Sequence, residues 1–205
     1  MEIIKHNPFR VLGLPIEATE KEILKQKSKT QAFLSVGKSI EGEFDFLLLD
    51  QIIRNQESLN HAISQLEMNT DKVRYALFWV SAKSPDAKVV FEHLKLGDKV
   101  KAMSILERMT VNRAITSQTL IASFNLSTLL IYDSLSDFSF DCTKLGEGLS
   151  LKIKVIQSEH FDGLLKSVVG ENSKFSKEKL VELTLVTICD ELLSRINSHQ
   201  SFDLK

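Results

Sequence analysis

The residues that could carry out chemistry are scattered along this chain. The five histidines are His6, His61, His93, His160 and His199. His93 follows Glu92 and His160 follows Glu159, but no His-x-x-x-His or Cys/His spacing suited to a metal occurs. The sequence also has no glycine-rich phosphate loop and no nucleophile motif. These patterns predict a protein that is not an enzyme and that carries neither cofactor nor metal.

Three lysines form the most regular pattern of charge. Lys21, Lys25 and Lys29 recur every four residues, so they share one face of a helix. The face is either solvated or a docking surface for an acidic partner. Trp79, the only tryptophan, is either a core residue or an exposed binding anchor. These four residues are the candidate partner-binding residues.

A second cluster of charge is acidic and lies beside Gly42. Glu41, Glu43 and Asp45 do not follow the twelve-residue pattern of a calcium-binding loop. We therefore predict a solvated acidic loop at this position. No metal is expected there.

The composition is that of a soluble helical protein. The chain has 205 residues, of which 43% are apolar and 26% charged, with a net charge of −1. This balance predicts neither a nucleic-acid surface nor a membrane surface. Residues 114–132 carry no charge, but their Ser, Thr, Gln and Asn content favours a helix buried among other helices over a membrane span.

The expected location is the cytoplasm. The first residues lack the basic and apolar regions of a secretory signal. Cys142 and Cys189 are far apart and show no Cys-x-x-Cys spacing, which predicts two reduced, buried thiols.

Capping signals place the elements of the first eighty residues. Asn7 and Pro8 open a short helix that Gly13 ends. Thr19 and Glu22 form a capping box that opens the lysine-bearing helix. A third helix carries Leu59, Ala62, Ile63 and Leu66, and Asn69-Thr70-Asp71 is expected to cap a fourth.

Further helices are expected in the second half. Ser84-Pro85 opens one, and Leu96-Gly97-Asp98 ends it and caps the next. A long uncharged helix follows from about 113 to 135, and then a loop from 137 to 148. Residues 149–156 fit either a strand or a helix, and we predict a helix because no second strand is evident. Ser176 caps a last helix, whose apolar face is Leu183, Ile188, Leu192 and Ile196, and residues 199–205 should fray.

Residues 7–79 resemble a J domain, the co-chaperone module of the DnaJ family. The matching motifs occur in order: N-P-F-R-V-L-G-L, A-T-E-K-E-I, A-I-S-Q-L and N-T-D-K-V-R. In that family a His-Pro-Asp tripeptide after the second helix triggers ATP hydrolysis by the seventy-kilodalton heat-shock chaperone. The corresponding positions here are Ser35, Val36 and Gly37. The resemblance therefore implies a J-like fold without the triggering tripeptide.

The pattern L-x-x-G-D with Ala102 resembles one unit of a tetratricopeptide-like helical hairpin. The expected fold is all-α, with a degenerate J-like domain at residues 1–82 and a tetratricopeptide-like domain at 83–205. The expected function is protein–protein interaction as an adaptor. The alternative is a co-chaperone that docks on a heat-shock chaperone through the basic face of its second helix.

Overall fold

The computed structural model describes residues 1–38, 40–135, 140–171 and 173–197. The helices are α1 (Glu2–Lys5), α2 (Pro8–Leu12), α3 (Glu20–Ser35), α4 (Gln56–Ser64), α5 (Asn69–Ala76), α6 (Pro85–Lys95), α7 (Lys99–Thr110), α8 (Leu120–Ser134), α9 (Cys142–Gln157), α10 (Phe161–Val169) and α11 (Lys177–Asn197). Across these ranges there is no strand, only one isolated bridge between Leu135 and Phe140. The all-α prediction is confirmed. None of these helices combines the length and hydropathy that crossing a bilayer would require.

The predicted caps form at the first helices. The Asn7 side chain accepts a hydrogen bond from the Phe9 N–H at 3.1 Å, and Pro8 is the first residue of α2. Gly13 ends α2 in the left-handed conformation, with φ of 69°. Thr19 and Glu22 make both hydrogen bonds of the capping box at α3. These local predictions are confirmed because each bond joins residues at most three positions apart.

The prediction that Asn69-Thr70-Asp71 caps the next helix is wrong. Asn69 is the first residue of α5, and Met68 occupies the cap position without a side-chain hydrogen bond. The Asn69 side chain instead donates to Ser173 Oγ at 2.8 Å, across 104 positions of sequence. A long-range contact therefore uses the group that looked like a local cap.

Helix α8 lies at the centre of the molecule. Of its 15 residues, 12 are buried, which confirms the prediction of a buried helix in the uncharged segment. Its hydroxyl groups bond back to its own carbonyl groups; for example, Ser127 Oγ donates to Phe124 O at 2.7 Å. The helix starts at Leu120 and not near 113, because Thr116 and Thr119 form a turn in which the Thr116 N–H donates to Thr119 Oγ1.

Helix α9 packs closely against α8. It confirms the helical prediction for residues 149–156 and corrects the loop predicted from 137 to 148, since α9 already begins at Cys142. Asp141 provides the cap by accepting from the Lys144 N–H at 2.9 Å. Gly148 faces Ile131 of α8, and a Cβ added there would come within 2.9 Å of the Ile131 side chain. Glycine thus permits the close approach of the two helices.

The buried apolar side chains form one cluster that includes residues on both sides of position 82. The segment between α5 and α6 is also bound to α8. Asn125 donates from Nδ2 to Ser81 O and accepts at Oδ1 from the Ser81 N–H, both at 2.9 Å. The division of the chain into domains at residue 82 stays a prediction.

The prediction that the thiols of Cys142 and Cys189 are buried is wrong, because both side chains are exposed. Cys142 is the first residue of α9, and the first buried residue of that helix is Leu145. Cys189 follows the buried Ile188 on α11, but a step of one residue turns it to the outer face.

The inner face of α11 also differs from the prediction. Ile188 is buried, whereas Leu183 and Leu192 are half-buried and Ile196 is 57% exposed. The buried residues of α11 are Leu180, Thr184, Thr187, Ile188, Glu191 and Arg195. Two charged residues can be buried on this face because Arg195 Nε lies 3.7 Å from the Glu191 carboxylate. The fraying predicted for residues 199–205 lies outside the described residues.

Candidate partner-binding face

The three lysines of the sequence pattern lie together on the outside of α3. Lys21, Lys25 and Lys29 are all exposed, and they span about 12 Å along the helix at 1.5 Å per residue. Of the 16 residues of α3, only Ile23 and Thr30 are buried. The helix is therefore held by a narrow stripe, and most of its surface faces solvent.

The lysine face makes no internal ion pair, although Lys25 interacts electrostatically with Glu22. In the described part of the chain, no carboxylate lies within ion-pairing distance of the three ammonium groups. Glu22, the nearest acid on α3 to Lys25, is used in the capping box, where it accepts from the Thr19 N–H at 2.8 Å and from Thr19 Oγ1 at 2.7 Å. The hydrogen bond from the Thr19 backbone N–H has the largest effect on the pKa of the Glu22 carboxyl, and both hydrogen bonds lower it. The face keeps its positive potential for an outside partner.

An apolar surface continues the lysine face toward the end of α3. Phe33 lies four residues after Lys29 and is 40% exposed, and Val36 follows at 66%. Leu24 lies between Lys21 and Lys25 and is also exposed. We call this whole surface, from Lys21 to Val36, the α3 face. It offers charge over its first two-thirds and apolar groups at its end.

The positions of the missing tripeptide form the end of the helix. Ser35 is the last residue of α3 and donates from Oγ to Ala32 O at 2.8 Å. Gly37 adopts a φ of 70°, and the Lys38 N–H donates to Phe33 O at 3.0 Å. This arrangement is a Schellman-type helix end. Ser35, Val36 and Gly37 bring no acid or base to the surface.

Trp79 is placed in the core. It is 1% exposed, its Nε1 donates to Leu14 O at 2.9 Å, and its ring stacks on Phe46 with centroids 6.0 Å apart. Of the two interpretations of Trp79, the structure agrees with core packing. Its buried indole gives the α3 face no additional anchor.

The solvated acidic loop predicted beside Gly42 is confirmed for Glu41 and Glu43, which are exposed, but not for Asp45. Asp45 binds Arg54 through both oxygens, each at 2.7 Å from a guanidinium nitrogen. Arg54 also donates to the carbonyl groups of Arg10, Val11 and Ile40. We call this set the arginine clamp, because it fixes residues 40–55 against α2.

Electrostatics and a close backbone contact strengthen the clamp. Burial works against the charge of Asp45, but hydrogen bonds from Arg54 and the Gly42 N–H outweigh it and lower the pKa of this carboxyl. Arg10 is 2% exposed and donates to Lys5 O at 2.5 Å and to Asp50 O. Burial, opposed by the charge of Asp45, lowers the pKa of Arg10 to about 10. A Cβ on Gly13 would lie 3.2 Å from the Gly42 Cα, so the two glycines allow these two backbone segments to come into contact.

Little in the sequence indicates the clamp. Asp45 and Arg54 are nine positions apart, which suits no helical pairing. The only local hint was the N-P-F-R motif, in which Arg10 follows a buried phenylalanine.

Metal binding finds no support in the described residues, where no group of three or more His, Cys, Asp or Glu side chains is placed to hold an ion. Comparison with known proteins adds no relationship: no family model, no curated protein and no solved structure matches this chain.

Proposed function

We propose that this chain is a non-enzymatic adaptor that binds an acidic segment of another protein through the α3 face. The observation that carries the proposal is the set of three exposed lysines that form no ion pair with any described residue, on a helix that buries only two residues. An exposed positive stripe attracts an acidic partner and orients it before contact. The apolar end at Phe33 and Val36 adds a contact that does not depend on salt.

The proposal includes a degenerate J-like domain at residues 1–82 and a tetratricopeptide-like domain at residues 83–205. Four helices between Pro8 and Ala76 and the antiparallel pair α6 and α7 support this view. Since Ser35, Val36 and Gly37 end a helix and supply no acid or base, the tripeptide chemistry has no equivalent at those positions. Binding without ATPase stimulation is the activity that remains for the α3 face.

A second candidate uses the same surface. The lysines lie on α3, the second of the four helices of the J-like module. The family resemblance places a basic docking face on this helix. The partner would then be a heat-shock chaperone. Recovery of such a chaperone with the native protein, without faster ATP hydrolysis when the two are mixed, would select this version of the proposal.

The test is affinity purification of the tagged full chain from its own host. The variant Lys21→Glu, Lys25→Glu, Lys29→Glu should lose the main bound protein. The matched control Lys88→Glu, Lys101→Glu, Lys154→Glu changes the net charge equally at exposed lysines on other helices and should keep that protein. Retention of every partner by the first variant would overturn the proposal.

A second variant separates the two ends of the α3 face. Phe33→Ser with Val36→Ser should weaken the complex at all salt concentrations, and the slope of affinity against salt should stay that of the native protein. The lysine variant should flatten that slope, because it removes the charges that salt screens. If Phe33 and Val36 have no effect on affinity, the partner contacts only the basic part of the face.

A further inference from the structure

Lys152 is a fully buried lysine on α9. Its exposed fraction is 0%, and its Nζ lies 2.7 Å from Thr128 Oγ1 and 3.2 Å from Phe124 O. The same nitrogen lies 3.7 Å from the centroid of the Phe124 ring. All of these contacts are with α8, and none of the groups carries a charge.

The charged groups on the helices around Lys152 are engaged elsewhere. Asp133 of α8 binds Lys144 at 2.6 Å and also Lys99. Glu191 and Arg195 of α11 pair with each other, and Asp162 and Lys166 of α10 are exposed. Within the described ranges, none of these groups reaches hydrogen-bonding distance of Lys152 Nζ. An ammonium ion at this position would therefore have no counter-charge.

The helices around Lys152 are closely packed. One turn earlier on α9, a Cβ added to Gly148 would lie 3.0 Å from the Ile131 backbone nitrogen of α8. Phe124, which contacts Lys152, also packs against Phe161 of α10, with ring centroids 6.4 Å apart. A change at Lys152 Nζ would thus reach α8, α9 and α10 together.

We propose that Lys152 makes the contact between α8 and α9 sensitive to protons. The contact is tight while the Lys152 amine is neutral. When an acid in solution transfers a proton to the amine lone pair, the new ammonium ion needs water, and α9 separates from α8 to admit it. Only one N–H bond forms, and no other reactant is required. This inference is independent of the α3 face.

The direction of the pH dependence follows from the burial of the amine. Burial lowers the pKa of Lys152 well below its usual range, whereas the unfolded chain binds this proton below about pH 10.4. Between the pKa of Lys152 in the folded chain and its pKa in the unfolded chain, unfolding takes up one proton. The unfolding equilibrium constant therefore rises, by up to about tenfold for each unit by which the pH falls.

The experiment measures urea unfolding of the full chain at a series of pH values from 6 to 11. We expect Lys152→Met to be more stable than the native protein at neutral pH, and the ratio of their unfolding constants should shrink as the pH approaches about 10.4. The control Lys154→Met removes an exposed lysine from the same helix and should follow the native curve. A native-to-Lys152→Met ratio that stays constant over the whole range would overturn the proposal.

A second variant tests the neutral state directly. Lys152→Arg places a longer cationic side chain at this position, and that side chain cannot lose its charge. It should be much less stable than the native protein, or fail to fold, while Lys152→Met folds. Hydrogen exchange should show faster opening of α8 and α9 amides in the native protein than in Lys152→Met at the lower pH values. Equal stability of Lys152→Arg and the native protein, or equal exchange in these two helices, would contradict the inference.

Discussion

Helices α3 and α8 are almost equal in length but opposite in use. The 16 residues of α3 include 2 that are buried, whereas the 15 residues of α8 include 12. Helix α3 carries four lysines and two glutamates, and α8 carries a single charged residue, Asp133, near its end. The same backbone structure thus serves as a displayed surface in one region and as the centre of the core in the other.

The comparison shows where this molecule can bind a partner. In α8, the side chains of Asn125, Ser127 and Thr128 bond to carbonyl groups and to the backbone of Ser81, so these polar groups are satisfied inside the fold. In α3, the lysine ammonium groups make no hydrogen bond or ion pair with the described residues. Recognition groups therefore remain available where packing is thin. Four substitutions test this contrast.

The largest expected effect is at Asn125 of α8. The change Asn125→Leu would leave the Ser81 N–H and C=O buried without partners, and each loss costs about 1–3 kcal/mol, so stability should fall by about 2–6 kcal/mol. Urea unfolding measures the loss. A loss of less than about 1 kcal/mol would show that the amide is not the link between α8 and residue 81.

A smaller loss is expected where α9 meets α8. In Gly148→Ala, the new Cβ would lie 2.9 Å from Ile131 Cγ1 and 3.0 Å from the Ile131 backbone nitrogen, which should cost about 1–3 kcal/mol. Gly146 lies on the exposed side of the same helix with nothing within 4 Å, so Gly146→Ala should stabilise by about 0.5–1 kcal/mol. A lower melting temperature for Gly148→Ala and a higher one for Gly146→Ala would support the close packing. Equal effects would count against it.

The capping box of α3 should contribute about 1 kcal/mol, and its loss should stay local. Thr19→Ala would remove the acceptor of the Glu22 N–H, so amide exchange in the first turn of α3 should accelerate while α8 is unaffected. Because the pKa of Glu22 is lowered, its contribution is present above about pH 4.3 and is lost as the pH falls through the folded value. The Thr19→Ala protein should show a smaller acid-dependent change in exchange, because the backbone N–H at position 19 can still donate to Glu22.

The smallest expected change in stability comes from the lysine face itself. Replacing Lys21, Lys25 and Lys29 by Glu should alter the free energy of unfolding by no more than about 0.5 kcal/mol, because exposed charges away from partners contribute little. Circular dichroism and urea unfolding check this. A loss of several kcal/mol would show that the lysines stabilise the fold, and the contrast between a displayed α3 and a buried α8 would then not hold.

The sequence predicted the features that depend on neighbouring residues. Asn7, Thr19 and Asp98 each cap a helix through a bond to an amide two or three positions later, so the sequence contains both partners. The lysine face could be predicted for the same reason, since its spacing alone puts three residues on one side of a helix.

The features that sequence analysis missed depend on distant partners. Asp45 resembled a solvated acid because Arg54 and α2 complete its site only in the folded chain. The ambiguity at residues 149–156 has a similar origin: Lys152 and Lys154 alternate with apolar residues as in a strand, yet α9 buries the first and exposes the second. No local rule shows that a lysine will be buried.

The arginine clamp also determines where trypsin can cut. Trypsin must take a Lys or Arg side chain into its specificity pocket. The only basic residue between positions 40 and 55 is Arg54, whose side chain is 5% exposed and bound on every side. Irregular segments are normally nicked first, and in this molecule Lys38, Lys83 and Arg113 are exposed in such segments. We therefore expect limited digestion to cut at residues of this kind while the connection from 40 to 55 stays intact.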